Sequence, residues 1–177
     1  IGQGYIQTTP VQLCLMTAQI ANGGFKIYPQ IVADNVQKDQ PIDKYSKLYK
    51  NSINIKIIQD AMFASTNEVM GTSYRSRIND PKYQFAGKTG TAQVKKITEK
   101  DRELDLKTFE IPYEERDHAL YIAFGPYKNP RYALSIIVEH GGNGSTTAAP
   151  MAKKLFKLII DRHSLRETIN NKKYLEI

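Results

Sequence analysis

The chain has 177 residues, is 41% hydrophobic and carries 25 Lys+Arg against 18 Asp+Glu, a formal net charge of +7. That balance is ordinary for a globular protein and excludes a disordered tail. It also excludes a membrane span, because no apolar run approaches the roughly 20 residues needed to cross a bilayer.

A length of this order is expected to form one domain. Cys14 has no partner for a disulfide, and His118, His140 and His163 share no ligand spacing with it. Neither a disulfide framework nor a zinc scaffold is expected, and no other metal or cofactor motif is present. The sequence opens at Ile1 with no initiator methionine and no charged-then-apolar leader, so a piece of a longer protein is expected.

In chain order, Thr9-Pro10 followed by an apolar-rich run to Asn22 predicts a helix. Thr9 serves as N-cap, Pro10 fills the first helical position and Asn22-Gly23-Gly24 ends the helix. Leu13, Met16, Thr17 and Ile20 share a face, with Cys14 beside it as a small core residue. Phe25 to Val32 contains Pro29 and is expected as a short edge strand or extended segment, and Asp39 to Tyr49 as a loop. Asn51 or Ser52 caps a second helix with Ile53, Ile57, Ala61 and Ala64 near the helical period, ending by Gly71. Thr72 to Asp80 is a polar connection.

The pattern then changes to strands at Tyr83–Val94, Ala119–Phe124 and Tyr132–Val138. The last two are joined as a hairpin by Gly125-Pro126-Tyr127-Lys128-Asn129-Pro130. Lys95 to Glu115 is a highly charged connection of roughly twenty residues, expected to project over the functional cleft and to be mobile. Glu139-His140-Gly141-Gly142-Asn143-Gly144 leads into a terminal helix from about Thr147 to Arg162, with Met151, Leu155, Leu158 and Ile159 on one face. No Gly-Lys-Ser/Thr follows these glycines, so they read as backbone punctuation rather than a phosphate loop. Residues from about 163 to 177 form a polar basic tail. From Lys153 onward basic residues outnumber acidic ones by four, which reads as the solvated side of the helix. No nucleic-acid motif accompanies the charge.

The residues that carry chemistry are Lys88-Thr89-Gly90-Thr91. On an edge strand, unpaired backbone N–H and C=O groups can take an extended peptide by strand addition. Gly90 removes a Cβ that would hold that peptide away. Alternation sends Lys88 to one side and Thr89 and Thr91 to the other, so a site here straddles the rim of the strand. An ammonium beside two hydroxyls suits a substrate ending in a carboxylate. Lys-Thr-Gly is also a signature of penicillin-binding proteins and class A β-lactamases.

The flanking segments agree with that signature in order and spacing. Ile1-Gly2-Gln3-Gly4-Tyr5, Thr8-Thr9-Pro10-Val11-Gln12, Ala18 to Gly24 and Ala86 to Gln93 together resemble class B penicillin-binding proteins. Arg116-Asp117-His118, Ala123 to Pro130 and Glu139 to Gly144 are similar to the elongation-type, rod-shape member of that class. The resemblance runs from Ile1 to about Ile160. It implies a peptidoglycan D,D-transpeptidase that attacks a D-Ala-D-Ala stem peptide through a serine acyl-enzyme and binds β-lactams.

By that resemblance Lys88 belongs to the proton-relay and electrostatic set, and the Thr89 and Thr91 hydroxyls hold the substrate carboxylate. The Thr91 N–H is half of an oxyanion hole. The implied partners are stem peptides, β-lactams, a SEDS-type glycan polymerase and other elongation-complex proteins. The implied location is the periplasmic face of the bacterial inner membrane, on a parent protein anchored by a helix outside this sequence.

One departure is large. The family's nucleophile is a serine followed three residues later by lysine, and none of the eight serines here has that partner. Ser52-Ile53-Asn54 and Ser65-Thr66-Asn67 match the family's Ser-x-Asn motif, but they follow the Gly-Gln-Gly segment where the family's motif precedes it. They read as a helix start and a helix end. The chain therefore resembles the C-terminal portion of the transpeptidase domain, lacking the nucleophile. The fold expected is α/β of the α+β kind, an antiparallel sheet with the Thr9 helix on one face and the Thr147 helix on the other. The alternatives are a non-catalytic peptide-binding module and a basic nucleic-acid binder.

Overall fold

The structure, a computed structural model, describes residues 6–31, 45–95 and 106–175, with 165–175 described by backbone alone. Cap chemistry sets the first helix, α1 (Pro10–Ala21). The Thr9 hydroxyl accepts from the Gln12 N–H at 3.3 Å while the Gln12 side chain accepts from the Thr9 N–H at 2.8 Å, a reciprocal capping box. At the other end the Asn22 side chain accepts from the N–H groups of Gly24 and Phe25, and Gly23 and Gly24 take the positive φ angles that turn the chain. Thr17 is fully buried, Leu13 and Ile20 are half-buried, and Met16 of the expected face is turned outward at 42% exposure.

Of the two alternatives expected over Phe25–Val32, the edge strand does not form within the described part. Phe25 makes an isolated antiparallel bridge to Lys47, and residues 26–31 join no ladder. Pro29 lacks the N–H a ladder needs. Val32 and residues 39–44 of the expected loop lie outside the described residues.

Helix α2 (Ser52–Asn67) is capped by Asn51, whose side chain accepts from the Ile53 N–H at 3.0 Å. Its buried face differs from the one periodicity suggested. Ile53 and Ile57 are more than half exposed, whereas Met62 and Thr66 are buried. The cause is that the helix docks by its C-terminal half, where Met62 packs with Ala86 and Phe124 of the sheet.

Strands β1 (Ala86–Ala92), β2 (His118–Gly125) and β3 (Tyr132–Val138) form an antiparallel sheet in the order β1-β2-β3. All three are expected elements, β1 being shorter than Tyr83–Val94. Gly90 lies opposite Leu120, and Tyr121 lies opposite Thr89 on one side and Ile136 on the other. Among the described residues, β1 has a strand partner on its β2 side alone.

Alternation along β2 then divides the core into two layers. Ala119, Tyr121 and Ala123 pack with Phe85 and with α3 (Ala148–Leu175), while Ile122 and Phe124 pack with α1 and α2. The expected helix-on-both-faces arrangement is thus the observed one. The face of α3 is corrected, however. Ala148, Ala149, Ala152, Phe156 and Ile160 are buried, while Met151, Leu155 and Leu158 point outward. Alanines let the helix approach the sheet closely, and Phe156 stacks on Phe85 with ring centroids 4.9 Å apart. The helix also continues to Leu175, through most of the stretch expected as a tail. Cys14 donates to the Ala133 carbonyl at 3.5 Å, and burial pushes its thiol pKa up, which suits a core role.

Residues 96–105 of the Lys95–Glu115 connection lie outside the described residues, and with them the test of its expected projection and mobility. Its described ends meet in a 2.6 Å ion pair between Lys95 and Glu115.

The sheet is tied to the end of α2 by one buried junction. The Tyr121 side chain crosses β1 at Gly87, where any Cβ would collide with the phenol. Its hydroxyl lies 2.9 Å from the Thr66 hydroxyl and 3.0 Å from the Ser73 hydroxyl. Burial raises the phenol pKa above its ordinary value near 10, with the two hydroxyl contacts opposing in part. The Tyr121→Phe variant is expected to lose about 1–2 kcal/mol in urea denaturation with an unchanged m value. The unfolded chain releases this proton first, so the wild-type contribution is intact below about pH 10 and falls as pH rises toward the folded value. The variant should lack that part of the alkaline decline, and equal stability at neutral pH would refute the assignment.

A strand-edge cleft as the candidate active site

The rim of β1 is built from alternation and small residues. Lys88 is exposed, and its ammonium folds back onto its own strand, donating to the Thr89 carbonyl at 2.9 Å and reaching the Thr89 hydroxyl at 3.5 Å. That carbonyl therefore faces outward from the sheet. Residues two apart in a strand direct their backbone groups to the same side, so those of Thr91 follow.

A cleft of about 420 Å³ lies along this rim, lined by all four residues of the Lys88–Thr91 motif. It straddles the strand, since Lys88 and Thr89 stand on opposite faces. The sequence reading did not identify its remaining walls. One is Thr72, whose hydroxyl lies 3.3 Å from that of Thr89 and 3.2 Å from that of Ser65. The other is the Asn143–Ser145 turn, in which the Asn143 side chain accepts from both the N–H and the hydroxyl of Ser145. Thr72 carried no motif to mark it. Gly144 did offer a signal, because glycine ahead of a helix is often there for close approach. A Cβ at Gly144 would collide with the Leu120 carbonyl oxygen and lie 2.7 Å from that of Gly90. The turn is thereby pressed onto the motif strand.

The two Ser-x-Asn matches serve α2, as expected. Ser52 opens the helix, and at its end Asn67 donates to the carbonyls of Phe63 and Phe85, while Thr66 is buried at the Tyr121 junction. His118 and His140 meet edge to face at 4.9 Å, the His140 N–H donating to the His118 Nδ1. Among the described residues no group of three His, Cys, Asp or Glu side chains is placed to hold a metal. An arrangement of one ammonium, several hydroxyls and outward backbone groups can bind a carboxylate and extend a strand.

The Gly144→Ala variant tests how closely the turn is pressed onto β1. It is expected to lose about 1–3 kcal/mol of stability through overpacking, with the largest amide shifts at Gly90 and Leu120. Wild-type stability with unmoved Gly90 resonances would show that the contact is loose.

Comparison with known proteins gives a consistent result. The family described as penicillin binding protein transpeptidase domain matches residues 1–157. The peptidoglycan D,D-transpeptidase MrdA of Salmonella typhimurium is 33% identical over 168 residues, which cover 91% of this chain and 26% of that protein. MrdA of Haemophilus influenzae is 31% identical over 169 residues, covering 92% and 25%. The chain thus spans about a quarter of the length of these curated relatives. Among solved structures, the Helicobacter pylori penicillin-binding protein PBP2 in complex with MreC matches with a TM-score of 0.68 and 32% identity, over 89% of this chain and 26% of that one. Pseudomonas aeruginosa PBP2 in complex with WCK 5153 matches at 0.62 and 34%, over 86% and 30%.

Proposed function

The chain belongs to the penicillin-binding transpeptidase domain family, and from that premise we propose that β1 is the substrate-binding strand of a peptidoglycan D,D-transpeptidase of the elongation type. The observation that carries the proposal is the Lys88 ammonium seated 2.9 Å from the outward Thr89 carbonyl, on the side of β1 that has no strand partner among the described residues.

A stem peptide ending in D-Ala-D-Ala adds along that edge, and its terminal carboxylate is held by the Thr89 and Thr91 hydroxyls beside the Lys88 charge. A serine hydroxyl supplied from outside this sequence attacks the carbonyl between the two D-alanines. The C–N bond breaks, and the terminal D-alanine leaves with the proton that the serine gave up. The amine of a second stem peptide then attacks the ester carbonyl, the C–O bond breaks and the serine regains its proton. The N–H of Thr91 supports the negative oxygen that develops in both steps, a contribution of about 3 kcal/mol to the barrier for one well-placed donor. Lys88 contributes charge and a path for the proton.

β-Lactams imitate the D-Ala-D-Ala terminus and acylate the same serine. The parent protein acts at the periplasmic face of the inner membrane, with a glycan polymerase and elongation-complex proteins as partners. The complex formed by the Helicobacter pylori relative with MreC supports that last assignment.

Fluorescent penicillin labelling of the full-length protein tests the reading. The Lys88→Ala variant should be acylated at least tenfold more slowly, because a hydrogen bond to a charged group is worth about 1.5–3 kcal/mol. An unchanged rate would make the motif structural. The 177-residue chain alone should show no mass increase of one drug molecule, and stoichiometric acylation at Ser52 or Ser65 would overturn the placement of the nucleophile outside it.

A further inference from the structure

The strand-edge cleft opens into a second, larger one. This groove has a volume of about 710 Å³ and shares Thr72 and Ser145 with the first cleft, so the two are continuous. Four cations line it: Arg75 on the 3₁₀ turn Tyr74–Ser76, and Lys153, Lys154 and Lys157 on the first turns of α3. Among the described residues no carboxylate lines it. Arg75, Lys153 and Lys154 form no ion pair with any described residue, while the Lys157 ammonium lies 5.7 Å from the centre of the Tyr83 ring. Like charges gathered around one concavity repel one another and raise the local concentration of anions.

A second observation is independent of charge. Ser76 also lines the groove, is only 2% exposed, and its buried hydroxyl has no hydrogen-bond partner among the described residues. Buried hydroxyls are seldom left so, because the lost hydration is not recovered. The amino end of α3 adds its positive pole nearby, since Pro150 of its first turn lines the groove.

We propose that this cationic groove is a second anion subsite of the same substrate system, holding a peptide carboxylate other than the terminal one held at Thr89 and Thr91. The inference rests on the peptide-binding reading of β1. Continuity through Thr72 and Ser145 with a strand edge suited to peptides favours an acidic peptide over a nucleic acid. The carboxylate has two sources, the body of the peptide bound along β1 or a second strand brought to it, and both present the same chemistry.

The isotope-labelled chain, titrated by NMR with acetyl-D-Glu-Lys(acetyl)-D-Ala-D-Ala and with its D-Gln twin, tests this. The D-Glu peptide should bind at least about fivefold more tightly, with its additional shifts at Arg75, Ser76 and Lys153. The preference should vanish in the Arg75→Ala/Lys154→Ala variant. It should also vanish in wild type at about 0.5 M NaCl, where screening acts within a few ångströms, so a folding defect in the variant does not decide the matter.

Equal binding of the twins, or a preference that survives both treatments, overturns the proposal. So does an oligonucleotide of equal charge that displaces the D-Glu peptide at lower concentration. Acetyl-D-Glu N-methylamide separates the sources: groove shifts while the D-Gln twin occupies β1 support a second strand, and competition between the two supports a single peptide. The D-Gln twin reports on β1 by itself. Unmoved Gly90 and Thr91 resonances with that twin count against the function proposed for the strand, whereas the groove is judged by the difference between the twins.

Discussion

A single buried hydroxyl, that of Tyr121, holds the working side of this molecule together. It arises on β2, passes over β1 at Gly87 and meets the hydroxyls of Thr66 and Ser73, which belong to the end of α2 and the segment after it. Three hydroxyls satisfying one another in a dry setting form a stiff junction, and removing one leaves the others short of a partner. Burial keeps the phenol protonated, so it remains a donor. Because Ser73 is anchored there, its neighbour Thr72 is brought against Thr89 and the turn carrying Arg75 and Ser76 is placed beside α3. The cleft on β1 and the groove beyond it both take a wall from this one connection.

The second constraint is close approach, and small residues provide it. Gly87 clears the path of the Tyr121 ring, and Gly144 lets the turn before α3 rest on the backbone of Gly90 and Leu120. Ala148, Ala149 and Ala152 let α3 lie close over the sheet, leaving Phe156 to fill the space beside Phe85. Bulk at any of these points would push a wall of the site outward. Several larger apolar side chains of α2 and α3, namely Ile53, Ile57, Leu155 and Leu158, stand on the outer faces instead.

Charge follows the same division of labour. The basic surplus after Lys153 looks in the sequence like the wet side of a terminal helix. Part of it is that, but Lys153, Lys154 and Lys157 share a concavity with Arg75, which is distant in the chain and carries no motif. Meanwhile Lys88, the cation that does carry a motif, is satisfied locally by its own strand. An arriving carboxylate at β1 would exchange that local contact for a stronger, charge-assisted one.

What the sequence determined by itself was whatever depends on hydrogen bonds and torsions within a few residues. The Thr9–Gln12 capping box starts α1, Asn51 starts α2, and alternation with turn residues marks β2, β3 and the hairpin between them. The Lys88–Thr91 motif and its place on a strand with no second strand partner among the described residues were legible for the same reason, as was the family likeness built around it. Tertiary structure alone decided which face of each helix is covered. On α2 and α3 the burial falls on Met62, Thr66, Ala152 and Phe156, because the pattern of large apolar residues does not reveal where a distant strand will lie. It also decided that Thr72 meets Thr89, that Tyr121 meets Thr66 and Ser73, and that Arg75 faces the lysines of α3. Those contacts join residues brought together only when the sheet and its helices close on one another, and no local preference encodes them.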